Sequence, residues 1–187
     1  VILNEEDKCM NRQVPKTKNV IVEALLKKMN EKPYHEITIV EITEEADVAR
    51  LSFYRHFNSK EDIILYKFKD IISKMVRKIS VDTINAPKEI LDLILSIVDG
   101  YKSIFKVIIK QNLYGLIVQS FSSDIRLLTK KITRLKDSDF HLLTFYEGAL
   151  VSLIIDWISS ESELSKDEYL NIVDNIFKKQ LLFLNSN

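Results

Sequence analysis

Residues 46–63 read ADVARLSFYRHFNSKEDI. Arg50, Arg55 and His56 are threaded among Phe53, Tyr54 and Phe57, and Lys60 follows shortly after. These polar groups are of types that bind anions or base edges. A guanidinium can bond two acceptors on a guanine edge, while serine and tyrosine hydroxyls suit phosphate oxygens. In a helix, Phe53 and Phe57 lie one turn apart and would dock inward together with Val48. Arg50, Leu51, Ser52, Tyr54, Arg55 and His56 then form the candidate contact set. Lys60 would stand in the first turn of a following helix, where backbone N–H groups already favour an anion. Such residues on a helix surface are usually just solvated, so residue types alone leave both readings open.

The bulk composition bounds what can hold this stretch in place. The chain has 187 residues, 46% apolar and 29% charged, which reads as globular and able to bury a sizeable core. Its 27 Lys and Arg balance 27 Asp and Glu, so any argument for a nucleic-acid or membrane partner must be local. Only three glycines and three prolines are present, too few for the many turns of a sheet protein. The expected class is therefore all-α. One cysteine, Cys9, excludes an internal disulfide pair and a cysteine-built zinc cluster, in keeping with a reducing cytoplasm. No uninterrupted apolar run reaches the length of about 18 residues that suggests a spanning helix, and the polar start does not resemble a signal peptide. No membrane, metal or cofactor is expected.

Helix signals recur along the chain. Residues 17–32, TKNVIVEALLKKMNEK, place Val20, Ile21, Ala24, Leu25 and Met29 at helical spacing, and the helix must stop before Pro33. Thr38 with Glu41 forms a capping box opening a second helix, with Ile39, Ile42 and Ala46 as its apolar side. After a short break at Asp47–Val48, a third helix is expected over about Ala49–Phe57. Two short helices so separated have helix-turn-helix spacing. Ser59 with Asp62 restarts the chain into a helix to about Ser80. Five more are expected: one opened by Pro87, then roughly 100–110, 112–134, Ser138–Ser160, and a last one capped by Ser165 and Glu168. The total is about nine.

The order of these parts resembles the N-terminal DNA-binding domain of the tetracycline-repressor (TetR) family of bacterial regulators. The resemblance is carried by the leading helix, the Thr38 cap, Ala46–Asp47–Val48, the Phe53–Tyr54 pair, Phe57 and the Ser59–Lys60–Glu61 restart, about 50 residues. It implies that Arg50 and Ser52 reach bases or nearby phosphates. Tyr54, His56, Lys60 and Thr38 would grip the backbone, with Arg12, Lys16 and Lys18 adding phosphate contacts. This chain departs from the family pattern in having Asp47 where glycine is usual, a residue that tolerates a left-handed backbone. It also has Ala49 where a Ser or Thr cap is usual.

The resemblance further implies a dimeric regulator, mostly a repressor, that leaves a palindromic operator when a small-molecule effector binds. The domains expected are an arm over 1–14, a head over 15–62, and a regulatory and dimerisation domain over 63–187. Gly148, Trp157 and Leu164–Ser165 resemble the C-terminal helix pair of a subgroup related to regulators of dihydroxyacetone kinase operons. Some of these respond to a partner protein. The last two helices have more apolar width than one face requires, so Leu150, Ile154, Trp157, Ile172 and Ile176 are candidates for a homodimeric four-helix interface. The alternative is packing within one subunit. Met75, Tyr101, Phe105, Tyr114, Phe121 and Phe145 are candidates for lining a pocket for a lipophilic or aromatic effector, against the plainer reading that they fill the core. An enzyme using His141 with Tyr146 or Glu147 has no nucleophile, phosphate-loop or metal-ligand motif behind it, so no enzymatic activity is expected. A co-activator of the same fold, signalled by a protein partner, is the remaining alternative.

Overall fold

The computed structural model describes residues 5–81, 87–159 and 164–185, and every regular element in them is helical. The α-helices are α1 (Glu5–Glu31), α2 (Ile39–Glu45), α3 (Arg50–Tyr54), α4 (Lys60–Val81) and α5 (Pro87–Gly100), followed by α6 (Lys102–Lys110), α7 (Tyr114–Ser120), α8 (Ser122–Thr133), α9 (Phe140–Ser159) and α10 (Lys166–Asn185). A 3-10 turn at Tyr34–Glu36 joins α1 to α2. The chain divides into two compact units, Val1–Lys69 and Asp70–Asn187.

In the first unit, α1 supplies Ile21, Val22, Ala24, Leu25 and Met29 to the core. Val20, expected on that face, is exposed, and Val22 takes the inward place. The pattern IVEALL offers two adjacent apolar stripes, and the one with Ile21, Ala24 and Leu25 is buried. Residues 5–14, expected as part of an arm, continue α1 as helix. Glu5, Glu6 and Asp7 lie where negative charge favours a helix N-terminus. The unit also takes in the first turns of α4 as far as Lys69, beyond the expected limit at residue 62, with Ile63, Ile64 and Phe68 buried.

In the second unit, α5 is the central rod, packed against α6, α8, α9 and α10. Ile90, Leu91, Ile94, Leu95 and Val98 recur every three or four residues and are all buried. Each such side chain stabilises the fold by about 1.5–3 kcal/mol relative to exposure. The expected helix over 112–134 is broken at Phe121, whose φ of −118° and ψ of 24° end α7 and begin α8. Its ring is buried there, so side-chain packing overrides helix continuation. Ser165 caps α10 as expected: the Glu168 N–H donates to Ser165 Oγ at 3.3 Å, and the Ser165 N–H donates to Glu168 Oε2 at 2.8 Å.

Among the described helices, α9 is long and apolar enough to cross a membrane by length and composition alone. Its two acids have partners inside the protein. Glu147 pairs with Arg126, and Asp156 accepts from the Tyr169 hydroxyl. α9 also packs on α5, α6 and α8.

Candidate nucleic-acid interface

In the head α2 packs on α1 and α3 packs on α2, with a tight connection between the two short helices. Thr38 caps α2: its hydroxyl accepts from the Glu41 N–H at 3.2 Å, and Glu41 Oε2 accepts from the Thr38 N–H at 2.8 Å. α2 ends at Glu45, and Asp47 follows with φ 51°, the left-handed conformation expected of it. The Val48 N–H then donates to the Thr43 carbonyl at 3.0 Å, which closes the turn. α3 starts with Ala49 at the N-cap in an extended conformation and without a side-chain cap, so its first orphan N–H groups face solvent.

Five helical residues suffice to sort α3 into two sides. Phe53 is fully buried, and Phe57, just past the helix, is nearly so; their rings are 6.1 Å apart. On the other side Arg50, Leu51, Tyr54 and Arg55 are all exposed, with Ser52 and His56 half-buried. Among the described residues, neither Arg50 nor Arg55 has an ion pair or hydrogen-bond partner for its side chain. The Tyr54 ring stands edge-on to Phe53 at 5.2 Å, which fixes the ring while its hydroxyl end stays exposed.

Ion pairs tie α2 to the end of α1. Two of the three carboxylates of α2, Glu41 and Glu45, are engaged by lysines of α1 and its end. Lys27 reaches Glu45 at 2.5 Å, Lys28 reaches it at 3.2 Å, and Lys32 reaches Glu41 at 2.5 Å. Bonds from Lys32 and then from Thr38 hold the Glu41 carboxyl far below its ordinary value, at about 2. His56 is shifted the other way. Burial first, then the charges of Lys18 and Arg55, lower its pKa, so at neutral pH it offers an N–H donor without a charge.

Three expected phosphate ligands are instead occupied within the head. The Lys60 ammonium donates to the Ile37 carbonyl at 2.6 Å and the Tyr34 carbonyl at 2.9 Å, and lies 4.5 Å from the Tyr34 ring centroid. Together with the Tyr34 hydroxyl, which donates to Glu61 at 2.7 Å, it fastens the 3-10 turn to the start of α4. Thr38 spends its hydroxyl proton on Glu41 Oε2 at 2.8 Å. Lys18 lies over the Tyr66 ring at 4.8 Å. Each would have to give up an internal contact to meet a phosphate. Lys16 is exposed, and the side chain of Arg12 falls outside the described residues.

The pocket candidates do not converge. Met75 belongs to the core cluster of the second unit, with Tyr101 and Phe105 packed against it. The Tyr101 hydroxyl accepts from Lys74 at 3.1 Å. Phe121 is buried at the α7–α8 break, while Phe145 is exposed. Of the six, Tyr114 alone lines the open groove of about 790 Å³ between α7, α8 and α9. Gly115, Val118, Ile125, Gly148 and Ser152 also line it and were not anticipated. The spacing of Gly148 and Ser152, one turn apart on an apolar helix, is the signal that could have found them.

The interface candidates separate similarly. Leu150 is buried in the subunit's own core, contrary to its expected place in a contact between chains. Ile154 and Trp157 pack against the same cluster, and Trp157 Nε1 donates to Asp99 at 2.8 Å. Ile172 and Ile176 are about half exposed on α10, one turn apart. The residues weighed for an enzyme are not assembled either. Tyr146 is buried, Glu147 is held by Arg126 through two bonds of 2.6 and 3.2 Å, and His141 is exposed beside Phe140.

Comparison with known proteins agrees with this geometry. The family model described as bacterial regulatory proteins, tetR family, matches residues 21–66, from the buried face of α1 to the first turns of α4. No curated protein sequence matches the chain. Among solved structures, Lin0861 from Listeria innocua is similar at 18% identity over 96% of this chain and 95% of its own, with a TM-score of 0.72. A TetR-like transcriptional regulator from Rhodococcus sp. RHA1 is similar at 15% identity over 89% and 96%, with a TM-score of 0.61. The dihydroxyacetone kinase operon activator DhaS is similar at 17% identity over 90% and 95%, with a TM-score of 0.57. The helix-turn-helix head of this chain, residues 21–66, thus matches the tetR family of bacterial regulatory proteins.

Proposed function

We propose that the chain is a cytoplasmic repressor that binds a palindromic operator as a homodimer and is released by a small-molecule effector. The observation that carries the DNA-binding part is the face of α3. Arg50, Leu51, Tyr54 and Arg55 are exposed on a helix anchored by Phe53 and Phe57, and neither arginine has an ion pair among the described residues. A short helix so presented fits the major groove. Arg50 reads a base edge, while Tyr54, Arg55, Ser52 and neutral His56 hold the sugar-phosphate backbone. Thr38 and Lys60 act first as fasteners of the head and touch phosphate only secondarily.

Dimerisation is supported by the exposed Ile172 and Ile176 on α10 and by the outward side of α9, where Phe145 is 63% exposed. A two-fold dimer places two heads on two half-sites about one helical turn, or a multiple of it, apart. Selection of bound sequences from a random duplex pool, followed by gel shifts of the enriched fragment, tests the reading. A palindrome is expected; a pool that enriches nothing overturns it.

A second reading of the signal is favoured by one observation. Met75, Tyr101 and Phe105 pack together with the core cluster, as side chains filling the unit. On that reading the same fold answers to a docked protein and acts as a co-activator, and one protein of similar fold is described as an operon activator. Thermal shifts against a metabolite library separate the two. A ligand that raises the melting temperature and releases the DNA supports the effector reading, and a flat response favours the protein signal.

A further inference from the structure

The exposed side of α3 includes one residue that is not polar. Leu51 is 63% exposed, more than Tyr54 at 49%, and nothing in the head covers it. Isolated exposed leucines are ordinary. This one has Arg50 and Ser52 beside it in the chain and Arg55 one turn further along the same side, all of types that bind phosphate or base edges. Turning it inward was not an option for the helix, because Phe53 and Phe57 already occupy the buried side. On the proposed face, then, one strongly exposed side chain can neither donate nor accept a hydrogen bond.

The major groove offers one apolar group for such a side chain. Guanine, cytosine and adenine present only acceptors and donors at their groove edges, whereas thymine presents its C5-methyl. A leucine pressed on a polar edge would leave that edge's donor or acceptor without a partner, whereas on a methyl it removes apolar surface from water on both sides. Resting on the operator-binding reading above, we infer that Leu51 determines specificity by packing on a thymine methyl, so that each half-site requires a T·A pair beside the base read by Arg50.

Deoxyuridine differs from thymidine by that methyl alone, which gives a direct test with the full chain. In the site enriched from the random pool, each thymine is replaced singly by deoxyuridine and affinity is measured by fluorescence anisotropy. One thymine per half-site should be sensitive, losing about fourfold, the worth of one buried methyl group. Leu51→Ala should keep the melting temperature, since the side chain is exposed and alanine is a good helix former. It should also bind the thymine and deoxyuridine sites equally at that position, with sensitivity elsewhere unchanged. An enriched site in which no thymine is methyl-sensitive overturns the inference and leaves the regulator reading standing. So does methyl sensitivity that persists in Leu51→Ala, and so does a variant that binds all DNA normally but loses a protein partner. A pool that enriches nothing takes both down together.

Discussion

At the scale of single residues, the two basic groups that look alike in the sequence do different work. Arg50 has no partner in the head, so Arg50→Ala should leave thermal stability within about 0.5 kcal/mol. It should weaken specific operator binding by about 1–3 kcal/mol, the worth of one bidentate base contact. Lys60 donates to two backbone carbonyls from a half-buried position. Lys60→Met keeps the apolar stem and removes those bonds, and should cost about 1–3 kcal/mol of stability. Chemical denaturation checks both; equal stability losses for the two variants would contradict the assignment. The sequence shows that a lysine stands at a helix start, but not that the nearest acceptors are carbonyls brought from residues 34 and 37. That depends on how the 3-10 turn folds back over α4, which no local spacing encodes. Asp47 was legible, because few side chains tolerate positive φ. Asp47→Ala should destabilise by about 1 kcal/mol, and Asp47→Gly should not.

At the scale of elements, α2 is clamped to α1 by Lys32–Glu41 and by the two lysines on Glu45. Glu41 is held at about 2 in the folded head against an ordinary 4.5. Its pairing therefore contributes in full above pH 4.5 and is lost as pH falls through about 2. The melting temperature of the protein should drop across that window, and Glu41→Gln should flatten the drop; a Glu41→Gln profile parallel to wild type would argue against the clamp. The boundaries of α2, α5, α9 and α10 were readable from Thr38, Pro87 and Ser165 and from apolar periodicity. The break at Phe121 was not, because an aromatic in an otherwise helical run carries no stop signal. The inward face of α9 was equally hidden. Its apolar residues surround the helix, so periodicity does not say that Leu150 goes in and Phe145 out.

At the scale of the whole molecule, the proposed dimer makes opposite predictions for residues that looked equivalent. Ile172→Asp together with Ile176→Asp should yield a folded monomer that loses operator affinity, since both side chains are about half exposed. Leu150→Ala should instead cost about 2–5 kcal/mol of folding stability. Sedimentation equilibrium reads the first and denaturant midpoints read the second. A double variant that remains dimeric would move the interface to the groove lined by Tyr114, Gly148 and Ser152.

The pairing of the α2 acids with α1 lysines has a consequence for how this protein would search a chromosome. With net charge zero, its pull on arbitrary duplex must come from local cations rather than from the charge of the whole chain. Each phosphate neutralised releases condensed counterions and adds about 0.9 to the slope of log affinity against log salt. Few such contacts per head give a shallow slope, and the protein should linger little on random sequence. Its residence would then be decided at the operator, by the fit of a few side chains rather than by long-range attraction.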